Sequence, residues 1–123
     1  MQTMQQLRAK YALEKVKEAA QNLFPSEQIE FKSYAAALPA MIHMNGLGQA
    51  AAFYKSKGET HFKLYKLLSD WLCCEGQPFY GNEDLLDAII QSDMKTYRLG
   101  QAEAQALMDW VKKFAKAYMV DED

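Results

Sequence analysis

Apolar residues return along this chain in steps of three and four, the period of one helix face, and never in the sustained alternation of a strand. Met4, Leu7 and Tyr11 open a first stripe that Leu13, Val16, Ala20 and Leu23 continue. Phe24-Pro25-Ser26 ends it, with Ser26 the expected N-cap of a second helix running from Glu27 to Met44. Pro39 falls inside that helix, at or near an expected kink, because proline removes one backbone donor and crowds the preceding turn. Asn45-Gly46 supplies a C-cap, and Leu47 to Lys57 forms a short third helix closed by Gly58. Leu64, Tyr65, Leu68, Trp71 and Leu72 place a fourth helix between Thr60 and Cys74. Glu75 to Gly81 reads as a loop, and Asn82 as the cap of a fifth helix whose start suits the acids Glu83 and Asp84. The strongest pattern comes last: Ala104, Leu107, Met108, Val111, Phe114, Ala115 and Tyr118 share one face, with Lys112, Lys113 and Lys116 near the negative helix end. Trp110 of this helix is expected in the core. These elements predict an all-α fold, a compact single-domain bundle of about six helices over residues 1–118, with 119–123 a frayed acidic tail.

Composition adds boundaries. At 123 residues the chain fits one domain and is long enough to bury a core without staples. No apolar run reaches the ~20 residues that span a bilayer, so no membrane partner is expected. The opening Met1-Gln2-Thr3-Met4-Gln5-Gln6 lacks the charged and apolar regions of a secretory signal, which leads to an expected cytoplasmic location. Cys73 and Cys74 are neighbours, a spacing that suits neither a disulfide, a redox pair nor a zinc site, and they read as reduced, largely buried thiols.

The formal charge of −2 hides an uneven distribution. Residues 1–66 carry nine basic and five acidic residues, and residues 67–123 carry five basic and eleven acidic ones. This split allows one basic face. Lys55, Lys57, Lys63 and Lys66 flank the Gly58 turn with His61, a cluster suited to phosphate, and Arg8 and Lys15 add a smaller basic stripe on the first helix. Stacking aromatics are not evident beside them, so the expected contacts are to phosphates and insensitive to sequence.

Other candidate chemistry is thin. Gly46-x-Gly48-x-x-Ala51 fits a loose dinucleotide pattern, but that chemistry needs a strand entering the glycine turn, and the residues before it read as helix. His43 and His61 lack partners at metal-binding spacing, and Glu83, Asp84 and Asp87 are explained by a helix dipole. No cofactor or metal is expected.

The segment from Tyr34 through Leu38-Pro39-x-Met41-Ile42-x-x-Asn45-Gly46-Leu47-Gly48-Gln49 to Ala52-Phe53 resembles the small helical subunit of the type III-B CRISPR effector complex, the Cmr complex. Trp71-Leu72, Tyr97-Arg98, Ala102-Glu103 and Trp110 followed by Lys112, Phe114 and Ala115 extend the similarity to residue 118. Gly100 departs from it and is expected to loosen its helix by ~1 kcal/mol relative to alanine. The resemblance implies a non-catalytic subunit, present in several stacked copies beside other Cmr subunits and near the duplex of guide RNA and target RNA. On that view Pro39, Asn45, Gly46, Leu47 and Gly48 form a structural junction or interface. The competing expectation is an autonomous small helical DNA- or RNA-binding regulator. Against it stand the negative net charge and the lack of a helix gathering Arg, Asn and Gln.

Overall fold

The computed structural model describes residues 1–121 and contains six helices in the order α1 (Met4–Asn22), α2 (Pro25–Asn45), α3 (Leu47–Lys57), α4 (Glu59–Leu72), α5 (Leu85–Gln91) and α6 (Met94–Tyr118). No strand occurs among the described residues, and the all-α expectation holds. Helix α6 lies along both α1 and α2, while α3 and α4 pack on each other and on α2. Helix α4 runs through the middle of the core: Leu64, Tyr65, Leu67, Leu68, Trp71 and Leu72 are all buried.

Four of the helices, α1, α3, α5 and α6, start where first-turn N–H groups find side-chain acceptors. In α1, Thr3 Oγ1 accepts from Gln6 N–H and Gln6 Oε1 accepts from Thr3 N–H, a reciprocal capping box. Helix α6 starts at Asp93, whose carboxylate accepts from Thr96 N–H at 2.8 Å. Two expected caps move. The cap of α2 is Phe24, not Ser26: Pro25 takes the first helical position, where its missing N–H costs nothing, and Glu27 accepts from Phe24 N–H. The cap of α5 is Asp84, not Asn82, whose amide instead donates to Phe79 O.

Helix α2 continues through Pro39 to Asn45. Gly46 then serves as a one-residue joint. Its N–H still donates to Ile42 O, and its own carbonyl already accepts from Ala50 N–H of α3. The backbone there has φ 87° and ψ 157°, a region open to glycine and strained for other residues.

Three sequence expectations change on packing. Trp110 is half-buried rather than central, stacked on Phe114 at 5.4 Å, while Trp71 is 7% exposed. Gly100 is buried, and a Cβ there would meet the Phe79 ring, 2.5 Å from Cζ. It is a packing glycine, because the loop ring lies directly against the α6 backbone. The expected fraying does not begin at 119: Met119 is buried, Val120 N–H donates to Gln28 Oε1, and Asp121 pairs with Lys32. Gln28 also closes the end of α1 by donating to the carbonyls of Ala20 and Leu23. Residues 122 and 123 lie outside the described residues.

Candidate nucleic-acid interface

The α3–α4 turn gathers the expected lysines at one corner. Lys55 and Lys57 occupy the last turn of α3, and His61, Lys63 and Lys66 follow Gly58 on the first turns of α4. All four lysines are exposed, but their electrostatic states differ. Lys55 Nζ lies 3.2 Å from Asp84 Oδ2 and 5.4 Å from the Tyr65 ring centroid. Lys66 pairs with Asp70 at 2.9 Å, one helical turn on. Lys57 sits over the Phe53 ring, and neither it nor Lys63 has an acidic partner among the described residues.

The Asp84 carboxylate explains why Lys55 is held. Partial burial would raise its pKa, but the Tyr65 hydroxyl and Lys55 outweigh that, and the group stays below the usual carboxylate range. Tyr65 moves the other way, its phenol pushed up by burial and by the bond to Asp84. Both groups therefore keep their ordinary charge states near neutrality.

His61 is not a fifth cation of the cluster. Its ring stacks on Tyr34 with centroids 3.7 Å apart and meets the edges of Phe53 and Tyr54. Burial and then the Lys57 charge push its pKa down, while Glu30 opposes more weakly. Neutral imidazole is the form this aromatic setting favours.

Folding brings Lys15 to the cluster and takes Arg8 away. Lys15 of α1 lines a cleft of about 420 Å³ with Phe62, Lys63, Lys66 and Asp70 of α4. A second cleft, about 540 Å³, lies between Lys55, Ser56, Glu59, Phe62 and Lys63. Arg8 belongs to neither. Its Nε and Nη2 donate to Glu103 at 2.6 and 2.8 Å, and the Trp71 indole donates to the same carboxylate at 2.8 Å. This half-buried fork ties α1, α4 and α6 together, and the Glu103 carboxylate raises the guanidinium pKa further.

The lysine spacing did not reveal Phe62, which is 42% exposed at the meeting of the two clefts. The available signal was its place off the Leu64–Leu68–Trp71 stripe, where an aromatic residue on an otherwise wet face has no core to fill.

The junction residues perform a structural task. Leu47 N–H donates to Gln101 Oε1 at 2.9 Å and Gly48 N–H to Tyr97 Oη at 3.0 Å. Side chains of α6 thus cap α3, which has no capping side chain of its own at Gly46. The amides that a dinucleotide phosphate would need are already engaged, and helices flank the glycines on both sides. Pro39 and Asn45 complete the approach to this joint at the end of α2.

No group of three or more His, Cys, Asp or Glu suited to a metal ion occurs among the described residues. No described helix is long and apolar enough to cross a membrane. Cys73 and Cys74 are free and half-buried, and burial pushes both thiols up, away from the reactive thiolate form.

Comparison with known proteins completes the picture. A family model described as CRISPR-associated protein (Cas_Cmr5) matches residues 4–118. The CRISPR system Cmr subunit Cmr5 of Thermus thermophilus is 32% identical over 118 residues, covering 95% of this chain and 96% of that protein. The X-ray crystal structure of a CRISPR-associated Cmr5 family protein from the same organism matches with a TM-score of 0.82 at 31% identity, over 97% of this chain and 100% of that one. This six-helix chain, from its capped first helix to the last turn of α6, belongs to the Cmr5 family of CRISPR-associated proteins.

Proposed function

We propose that this chain is a non-catalytic structural subunit of a Cmr complex in CRISPR antiviral defence, packing against other Cmr subunits in several copies and meeting guide and target RNA phosphates through its α3–α4 corner. The observation that carries the reading is the family match across nearly the whole chain, with a relative named as a Cmr subunit. A cytoplasmic setting is part of the same proposal.

Two features support protein packing and RNA contact as separate tasks. Met44, Ile90 and Met94, on the ends of α2, α5 and α6 around the Gly46 joint, are 78%, 79% and 67% exposed. Exposed apolar side chains of this kind suit a protein neighbour. The α3–α4 corner instead offers Lys57 and Lys63, which have no acidic partners among the described residues, and Lys55 and Lys66 in surface pairs, which are weak enough for a phosphate to replace the acid. A non-catalytic role is consistent with a neutral, aromatic-packed His61 and with thiols shifted away from thiolate.

Co-expression with the remaining Cmr subunits and guide RNA, followed by native mass spectrometry, tests this reading. The chain is expected in the assembled particle at more than one copy, and Ile90→Glu with Met94→Glu is expected to reduce its incorporation. A complete particle that excludes the chain would contradict the proposal.

A further inference from the structure

Phe62 stands where the two lysine-lined clefts meet, and its setting is unusually firm for an exposed apolar residue. The Tyr65 ring, one helical turn on, lies beside it, with centroids 5.9 Å apart and planes 30° from parallel. Tyr65 is itself buried and fixed at its hydroxyl, which donates to Asp84 Oδ1 at 2.7 Å and accepts from Leu86 N–H at 3.1 Å. Phe62 is therefore an aromatic surface beside a rigid neighbour. Lys63 borders it in both clefts, Lys66 in one and Lys55 in the other.

An aromatic surface between cations supplies the two things a single nucleic-acid strand requires: a platform for a base and charges for the flanking phosphates. A duplex cannot use such a platform along its length, because its bases already stack on one another. The exposed side chains around Phe62 are lysines and acids rather than apolar residues, which favours a polyanion over a protein face. Glu18, Glu59 and Asp70 also line these clefts, so the phosphates are expected close to Lys63, which has no acidic partner among the described residues.

We propose that Phe62 is a stacking platform for an unpaired base of an RNA strand crossing the α3–α4 corner, with Lys63 and Lys66 meeting phosphate on one side of the ring and Lys55 on the other. The inference rests on the RNA-contact reading above and adds a base-contacting residue to it. Since every base has a π face, the contact tolerates any sequence but requires an unpaired base.

The test uses the reconstituted complex with its guide RNA and target RNAs carrying 2-aminopurine at one position at a time. For at least one position, emission changes on binding to the parent complex. That change is expected to be lost with Phe62→Ala and kept with Phe62→Trp. Phe62→Ala should also weaken target binding by about fivefold or more, the scale of one lost stack. The salt dependence should stay the same, because no phosphate contact is removed. Unchanged emission and affinity in Phe62→Ala would overturn the proposal. If Lys55→Glu, Lys63→Glu and Lys66→Glu together still shallow the salt dependence in that case, the RNA-contact reading survives and only the stacking falls. If neither variant changes binding, both fall. Exclusion of the Phe62→Ala chain from an otherwise complete particle would make Phe62 a protein contact and also overturn the proposal.

Discussion

Gly100 is the position where residue type and structure are most tightly bound. Propensity alone makes glycine a weakness in the middle of α6. Yet Phe79, 2% exposed, lies where an alanine Cβ would have to go. The ring cannot swing away without leaving the core, so the packing term outweighs the helix term. Gly100→Ala is expected to lower stability by about 1–3 kcal/mol, the usual range for overpacking. Urea unfolding measures it, and an equal or higher midpoint would show that the Phe79 side chain relocates freely. Of the two tryptophans, Trp71 and not Trp110 is the one the core encloses. Trp71 is buried and donates to Glu103, so Trp71→Ala should cost ~3–5 kcal/mol, with Trp110→Ala clearly less. Equal losses would mean that the half-exposed Trp110 face is as well packed as the core.

His61 gives a residue-scale pH dependence whose sign is fixed by the direction of its shift. The unfolded chain gains a proton as pH falls through roughly 6.5, while the folded chain resists until lower pH. The unfolded state therefore binds more protons in that window, and stability falls as pH drops through it. Above the window both states are neutral and the contribution is complete. Denaturant midpoints at about pH 7.5 and about pH 5.5 should differ more for the parent than for His61→Phe. Equal differences would mean that His61 does not titrate in the enclosed position described.

At the scale of elements, the two shortest helices are started by side chains from the two that cross the core. Gln101 and Tyr97 of α6 cap α3, and Ser69 and Tyr65 of α4 accept from Leu85 and Leu86 N–H of α5. Such caps leave no trace near the helix they serve. For that reason the Asn82 cap was misplaced, whereas the stripes of apolar residues located the helices themselves. The Thr3–Gln6 box and the Asp93 cap are different: both are written in local sequence. The lysine corner was legible because α3, Gly58 and α4 are contiguous in the chain. Its acidic partner was not, since Asp84 arrives from a distant part of the chain, and Phe62 was marked only by its place off the apolar stripe of α4. Gln101→Leu should speed hydrogen exchange at Leu47 N–H and cost about 0.5–2 kcal/mol, the worth of a cap. Unchanged exchange would show that α3 is started by its own residues. Gly46→Val should also destabilise, by about 1–3 kcal/mol, because a branched side chain is strained at φ 87° and presses toward Tyr97 Oη.

Across the whole molecule, the charge split between the two halves of the chain is partly offset by ion pairs between them. Arg8 meets Glu103, Lys32 meets Asp121, and Lys55 meets Asp84, each pairing a cation of the first half with an acid of the second. The basic half therefore does not present a broad positive face, and its excess narrows to a few positions such as Lys57 and Lys63. A narrow patch fits a subunit that adds a few phosphate contacts within a larger particle better than one that binds nucleic acid alone. The central claim is that this corner meets RNA phosphate in the assembled Cmr complex. Its most direct test is the salt dependence of target-RNA affinity, compared between complexes carrying the parent chain and the combined Lys55→Glu, Lys57→Glu, Lys63→Glu and Lys66→Glu variant. The account predicts intact assembly, weaker binding at low salt, and a log–log slope shallower by ~0.7 for each lost contact to a single strand. Identical affinity and slope in the two complexes would contradict it.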